Sequence, residues 1–191
     1  MKKELITIAG SLGSGKSSTA KAVAHRLGYK HFSSGDLFRE IATERGESVE
    51  ATNISAEVKK DIDHQVDERL QKMGKEENKL VIDSRLAWHW MPDSFKVFLQ
   101  LDTNSAADRI FQDVLKKSRV SEHAHSVEDV RASIERRFAS EQKRYMSLYG
   151  VDPTERKNFD LVIDTKDNNL DSVVGIILKA YQTWRDGEAQ V

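Results

Sequence analysis

The sequence predicts an α/β protein built on a five-stranded, mostly parallel sheet with helices on both faces. Short apolar runs alternate with longer stretches whose apolar residues recur every three or four positions. The first such run, Leu5 to Ala9, leads into a glycine-rich loop that opens directly onto a helical stretch. With 191 residues, 38% of them hydrophobic, the chain suffices for one well-buried domain, 1–191, and is short for two.

The first loop reads Gly10-Ser11-Leu12-Gly13-Ser14-Gly15-Lys16-Ser17-Ser18. Gly10, Gly15, Lys16 and Ser17 satisfy G-x-x-x-x-G-K-S/T. In that pattern backbone N–H groups face phosphates, the lysine reaches the terminal phosphates and the hydroxyl holds Mg²⁺. Glycines at 10, 13 and 15 let the backbone approach an anion without a Cβ in the way. A chance glycine-rich turn is the alternative, but it would not require the strand before and the helix after. That helix carries Ala20, Val23, Ala24 and Leu27 on one face and ends at Gly28.

Lys30 to Ser33 is the second strand, and Ser34-Gly35-Asp36 opens an amphipathic helix ending near Gly46. A polar stretch, Ser48 to Ser55, interrupts. Ala56 to Met73 follows as a helix with Val58, Ile62, Val66 and Leu70 inward, stopped by Gly74. Lys79 to Asp83 and Phe95 to Leu101 are buried strands flanking a Trp-rich segment, Leu86 to Met91. Thr103 to Lys117 reads as a helix and Ser118 to His125 as a polar loop. Ser126 and Asp129 suit a capping box opening a long charged helix that Gly150 and Pro153 stop near Tyr149. Leu161 to Ile163 is the last strand, and Leu170 to Trp184 the closing helix.

Ligands of open α/β sheets sit beyond the carboxyl ends of strands. That rule selects the phosphate loop, then Ser34-Gly35-Asp36 with Arg39, then Asp83-Ser84-Arg85. Asp83 suits the carboxylate that orients Mg²⁺ beside Ser17, with an N-cap role as the alternative. Arg39 and Arg85 are placed to grip a phosphate bidentately, although lone arginines are usually solvated. On the long helix, Arg137, Glu141 and Arg144 share a face. By pattern alone that charge run is a solvated surface on which Glu141 pairs with either arginine.

Five blocks then occur in a telling order: Gly10 to Thr19; Ser34-Gly35-Asp36-Leu37-Phe38-Arg39; Ser84-Arg85-Leu86-Ala87-Trp88; Ser140-Glu141-Gln142-Lys143-Arg144-Tyr145 with Tyr149-Gly150-Val151-Asp152; and Asp160 to Thr165. With these the chain resembles, almost end to end, the short archaeal-type cytidylate kinases. The resemblance implies a three-layer P-loop nucleoside-monophosphate kinase fold with strand order 2-3-1-4-5, a monophosphate-binding excursion around 35–75 and a lid near 112–125. It implies ATP and Mg²⁺ as cofactors, with Gly10 to Ser18 on the nucleotide and Ser17 and Asp83 at the metal. Lys16, Arg85, Arg109 and Arg144 become the catalytic set. Ser34, Gly35, Asp36, Arg39, Arg85 and Arg144 become the CMP site. One departure stands out: relatives tend to carry two arginines one turn apart at the lid entrance, whereas Arg109 is followed four residues later by Asp113.

Other residues stay open. His123 and His125 suit a metal or a solvated loop, and Trp88 and Trp90 suit base stacking or core packing. Thr165-Lys166-Asp167 fails as a guanine-reading motif because Asn168 stands where an aspartate is needed. A net charge of −1 gives no footprint for nucleic acid or membrane. No cysteine is present, so disulfides and thiolate metal sites are excluded. Met1 to Glu4 leaves no room for a signal peptide and no apolar run approaches about 18 residues. The expectation is a cytoplasmic monomer, with a dimer left open, that converts ATP and CMP, and dCMP with it, to ADP and the diphosphate. A hydroxyl-directed small-molecule kinase using Asp36 as base and a non-catalytic nucleotide sensor are the competing readings.

Overall fold

The computed structural model describes residues 3–58, 61–117 and 126–187. Its five strands are β1 (Leu5–Gly10), β2 (Lys30–Ser33), β3 (Leu80–Asp83), β4 (Phe95–Gln100) and β5 (Leu161–Asp164). They lie in the order β2-β3-β1-β4-β5, as expected, and every ladder is parallel. The helices are α1 (Lys16–Leu27), α2 (Ser34–Glu44), α3 (Val49–Val58), α4 (Asp61–Glu76), α5 (Ala87–Trp90), α6 (Thr103–Lys117), α7 (Val127–Tyr149) and α8 (Leu170–Asp186). A 3-10 turn, Arg156–Asn158, precedes β5.

Alternation along β1 sorts the layers. Ile6 and Ile8 face α1 and α8, packing with Val23, Val97, Ile177 and Tyr181. Leu5 faces the other way, onto α4 and α5 through Leu70, Met73 and Met91. The sheet is therefore buried on both faces, as an all-parallel sheet requires. Among the described residues no helix is long and apolar enough to cross a membrane.

Two expectations are corrected. The polar stretch at 48–55 is helical from Val49 on, and helix is described over Val49–Val58 and Asp61–Glu76. Ser48 starts α3 by accepting from Ala51 N at 3.1 Å through its hydroxyl and from Thr52 N at 2.9 Å through its carbonyl. Thr52 and Ala56, one turn apart, are buried, and Ala56 joins Ile41 and Ile62 in a small apolar cluster. Gly74 does not stop α4, which runs to Glu76. A Cβ at Gly74 would lie 2.8 Å from Met91 Cγ, so this glycine serves the close contact of α4 with the chain after α5. The 118–125 part of the expected lid, with His123 and His125, lies outside the described residues.

Glycines 10 and 15 work differently. At Gly10 (φ +150°) a Cβ would meet Leu99 O at 2.2 Å, whereas at Gly15 (φ +82°) the space is open. Gly10→Ala is therefore expected to cost about 3 kcal/mol or more by forcing β1 and β4 apart. Gly15→Ala is expected to cost only the left-handed backbone penalty of about 1 kcal/mol. Urea denaturation of the two variants against the parent checks the ordering.

Candidate functional site

The parallel register sets Ser33 opposite Asp83 and Asp83 opposite Ile8, which levels the carboxyl ends of β2, β3 and β1. The phosphate loop, the start of α2 and the segment after β3 thus meet in one cleft of about 330 Å³, closed on its far sides by α4, α6 and α7.

Within the loop, Ser11 O is an anchor. It accepts from Ser14 Oγ at 2.8 Å and from Lys16 Nζ at 3.0 Å, while Ser11 N donates to Leu99 O at 3.0 Å. Burial of the Lys16 ammonium, with the positive charge of Arg85 adding to it, lowers its pKa from 10.5 to about 7. Ser17 Oγ donates to Asp83 Oδ2 in a short contact, and Ser33 Oγ donates to the same oxygen at 3.3 Å. Ser33 also caps α2, its Oγ accepting from Asp36 N at 3.3 Å, and Ser34 Oγ donates to Asp83 O at 3.3 Å. The buried Asp83 carboxylate and the Ser17 hydroxyl are hard oxygen donors side by side, a pair that fits Mg²⁺.

The other half of the cleft is built from ion pairs. Arg85 Nε contacts Glu141 Oε2, and Arg137 Nε donates to Glu141 Oε1 at 3.0 Å. Arg144 Nε donates to Asp63 Oδ2 at 2.9 Å, and its Nη1 to Ser140 Oγ at 3.0 Å. Glu141 and Arg144 are each only 5% exposed, so the reading of this face of α7 as a solvated surface is overturned. Burial alone would raise the Glu141 pKa, but Arg85 and Arg137 outweigh it and hold the carboxyl below its ordinary value. Burial raises the Asp63 pKa against the pull of Arg144. One turn along α4, Asp67 Oδ1 accepts from Trp90 Nε1 at 2.9 Å and Oδ2 from the Tyr149 hydroxyl, and burial raises its pKa too.

Arg39 lines the cleft but is spent on Asp36, in an ion pair whose side chains are 52% and 60% exposed. Arg109 lies at the opposite end, donating to Thr165 O at 2.5 Å and Lys166 O at 2.8 Å beyond β5. Asp113 lines the same cleft. Trp88 is a packing residue, buried against Ala9 and Phe98 with its Nε1 on Arg85 O at 2.8 Å. Gly35 sits beside the Arg39 guanidinium, and Ser18 shares the cleft wall with Ser17. Sequence reasoning missed Asp63 and Asp67. The signal was a pair of acids one turn apart flanking Val66 on the apolar side of α4, where solvated acids do not belong.

The chain is similar to several known proteins. The family model described as "Cytidylate kinase-like family" matches residues 5–167. A cytidylate kinase of Methanopyrus kandleri is 35% identical over 187 residues, covering 92% of each chain. An S-adenosylmethionine-dependent nucleotide dehydratase of Lacinutrix mariniflava is 32% identical over 181 residues, which cover 94% of this chain. The chain spans only 36% of the length of that relative. Among solved structures, a gluconokinase from Sinorhizobium meliloti shares the fold with a TM-score of 0.59 at 16% identity, over 97% of this chain and 95% of that one.

With its pKa lowered to about 7, Lys16 would bind an anion in a proton-linked way: above pH 7 the free lysine tends to lose its proton, and an anion beside Nζ would favour its return. Titration of Mg·ATP at pH 8 in buffers of different ionisation enthalpy should show uptake of up to about one proton, falling towards zero at pH 6 and absent in Lys16→Met. For stability, the unfolded chain holds the proton between about pH 7 and 10.5 while the folded chain does not. This group therefore makes the protein more stable as pH rises through that window, a slope that urea melts should find reduced in Lys16→Met.

Proposed function

This chain belongs to the cytidylate kinase-like family, and we propose that it transfers the terminal phosphoryl group of Mg·ATP to CMP, and to dCMP, giving the diphosphate and ADP. The observation that carries this reading is that one cleft holds both the phosphate loop and a gathered set of guanidiniums, Arg85, Arg137 and Arg144. A donor site explains the first and an anionic acceptor the second.

In this reading Lys16 leaves Ser11 O for the phosphates of ATP, and the backbone N–H groups of Gly13 to Ser18 complete the cradle. Ser17 and Asp83 hold Mg²⁺, which neutralises phosphate charge when bound. Arg85 and Arg144 grip the acceptor phosphate together with Arg39, released from Asp36, and Arg137 supports Glu141 behind them. The nucleophile is a phosphate oxygen that is already anionic at neutral pH, so positioning and charge stabilisation suffice and no general base is needed. Arg109, from its place beside the segment after β5, is assigned to the donor nucleotide.

A screen of nucleoside monophosphates and nucleosides with Mg·ATP tests the assignment. CMP and dCMP should be phosphorylated, with cytidine at least about a hundredfold poorer in kcat/KM, a gap of about 2.7 kcal/mol. Arg39→Ala and Arg85→Ala should each raise KM for CMP far more than KM for ATP. Comparable turnover of cytidine, shikimate or gluconate would return the site to a hydroxyl acceptor. Asp113→Arg should raise kcat, because a carboxylate in this cleft opposes the charge developing on the transferred group.

A further inference from the structure

Helix α4 turns one stripe to the cleft: Asp63, Val66, Asp67 and Leu70. Asp63 is bonded to Arg144, so a guanidinium meets its charge. Asp67, one turn further along, is different. It is only 6% exposed, and its hydrogen bonds come from two neutral groups, Trp90 Nε1 of α5 on Oδ1 at 2.9 Å and the Tyr149 hydroxyl of α7 on Oδ2. The charged groups of α4 that act on it are Asp63, of like sign, and His64. The Trp90 and Tyr149 rings pack edge to face at 5.2 Å and hold the carboxylate plane. An ionised carboxylate accepts at about four positions, so lone pairs remain for a ligand. That ligand group is not the acceptor phosphate, which a carboxylate repels. Phe38 and Val66, both packed against Ile41 and Ile62, join Leu70 in giving the same cleft an apolar surface on which a flat ring can lie.

Resting on the acceptor reading above, we propose that Asp67 selects the acceptor base, its carboxylate accepting a hydrogen bond from the exocyclic amino group of cytosine and rejecting uracil. The amino group is an uncharged donor, the partner that a buried carboxylate held by neutral groups still lacks. Uracil presents a carbonyl oxygen at the same position. Its lone pairs face a negative charge with little water to intervene, and neither group is satisfied. Asp63 is less suited to the task, because Arg144 already draws on its charge. Burial pushes the Asp67 carboxyl pKa upward while the two donors favour the ionised form, so a third donor from the ligand adds to a charge the fold has only partly met. The phosphate goes to the guanidiniums and the amino group to the carboxylate. Each end of the substrate thus meets the opposite polarity, which fixes its orientation in the cleft.

Steady-state kinetics of the full chain with Mg·ATP compare CMP and UMP in the parent and in Asp67→Asn. The parent should prefer CMP in kcat/KM by about a hundredfold, since a site built to bond a donor is left unpaired by a substrate that lacks it. Asparagine keeps the size and, through Oδ1, the bond from Trp90, which can only donate, while removing the charge. In Asp67→Asn the preference should fall to about threefold or less. The fall should come from a higher KM for CMP, with KM for ATP unchanged and kcat/KM for UMP no lower than in the parent. Damage to the fold lowers both acceptors together, and that outcome, like an unchanged preference, overturns the assignment. A second measurement needs no variant and decides the matter should Asp67→Asn not fold. By isothermal titration the parent should bind the monophosphate of pyrimidin-2-one riboside, which lacks only the 4-amino group of cytidine, about tenfold or more weaker than CMP. Equal binding overturns the proposal. Equal use of CMP and UMP by the parent also overturns it, while leaving phosphoryl transfer to a nucleoside monophosphate standing. Failure of the parent to phosphorylate either one overturns the acceptor reading and the role of Asp67 with it.

Discussion

Gathering guanidiniums in one cleft is the constraint on which the rest of this structure depends. Arg85 comes from the end of β3 and Arg137 and Arg144 from α7, and like charges at such range repel strongly where water is excluded. Glu141, buried between Arg85 and Arg137, and Asp63, buried against Arg144, offset that repulsion. The same pairs fix the orientation of α7, tying it to the sheet through Arg85 and to α4 through Asp63. Buried ion pairs of this kind are weak stabilisers, since packed apolar side chains would serve the fold as well or better. Removing one member, however, strands a buried charge at a cost of about 3–5 kcal/mol. Stability alone does not account for such an arrangement. In the proposed reading, holding donors in a fixed geometry for an anion does.

The phosphate loop and the five strands were legible because each rests on local pattern or on a motif whose spacing is set by backbone geometry, whereas the strand order came from the resemblance to cytidylate kinases. Gly10, Lys16 and Ser17 announce themselves within eight residues, and Leu80 to Asp83 is apolar enough to be a strand in any context. What failed to show were features decided by a distant partner. The Arg137 and Glu141 spacing describes an exposed helical ion pair equally well, and only the arrival of Arg85 buries it. Asp63 and Asp67 were hidden for the same reason: their partners, Arg144, Tyr149 and Trp90, lie on other elements. Gly74 misled because a glycine late in a helix usually stops it, while here it makes room for Met91. α3 was missed because Thr52 and Ala56, which it buries, are a polar and a small residue that draw no apolar stripe.

In the proposed reading the cleft has two halves, one for the phosphoryl donor and one for the acceptor, of different mechanical character. The donor half is continuous with the sheet: Ser11 N is bonded to Leu99 O, Leu101 N to Ser11 Oγ, and a Cβ on Gly13 would stand 3.1 Å from Ala106 of α6. The loop is therefore held by backbone on both sides. The acceptor half is carried by α2, α4 and α7, which reach the sheet mainly through side chains. Its polar contacts, Arg85 to Glu141, Arg144 to Asp63 and the Tyr149 and Trp90 bonds to Asp67, can be exchanged for bonds to a ligand without unfolding a strand.

Register explains how these halves come to share an oxygen. Because side chains alternate along a strand, a one-residue slip of β3 would turn Asp83 away from Ser17 and Ser33 and send Ile82 into the cleft. That slip is opposed on both faces at once: Val81 is buried under the α1 and α8 layer, and Leu80 and Ile82 under α4 and α5. A four-residue strand with three apolar side chains committed to two opposite cores has one register that satisfies them all. The carboxylate that meets the donor and acceptor sides is thus aimed by hydrophobic packing several ångströms below it, and the polar chemistry at the top of the sheet inherits its precision from the apolar layers beneath.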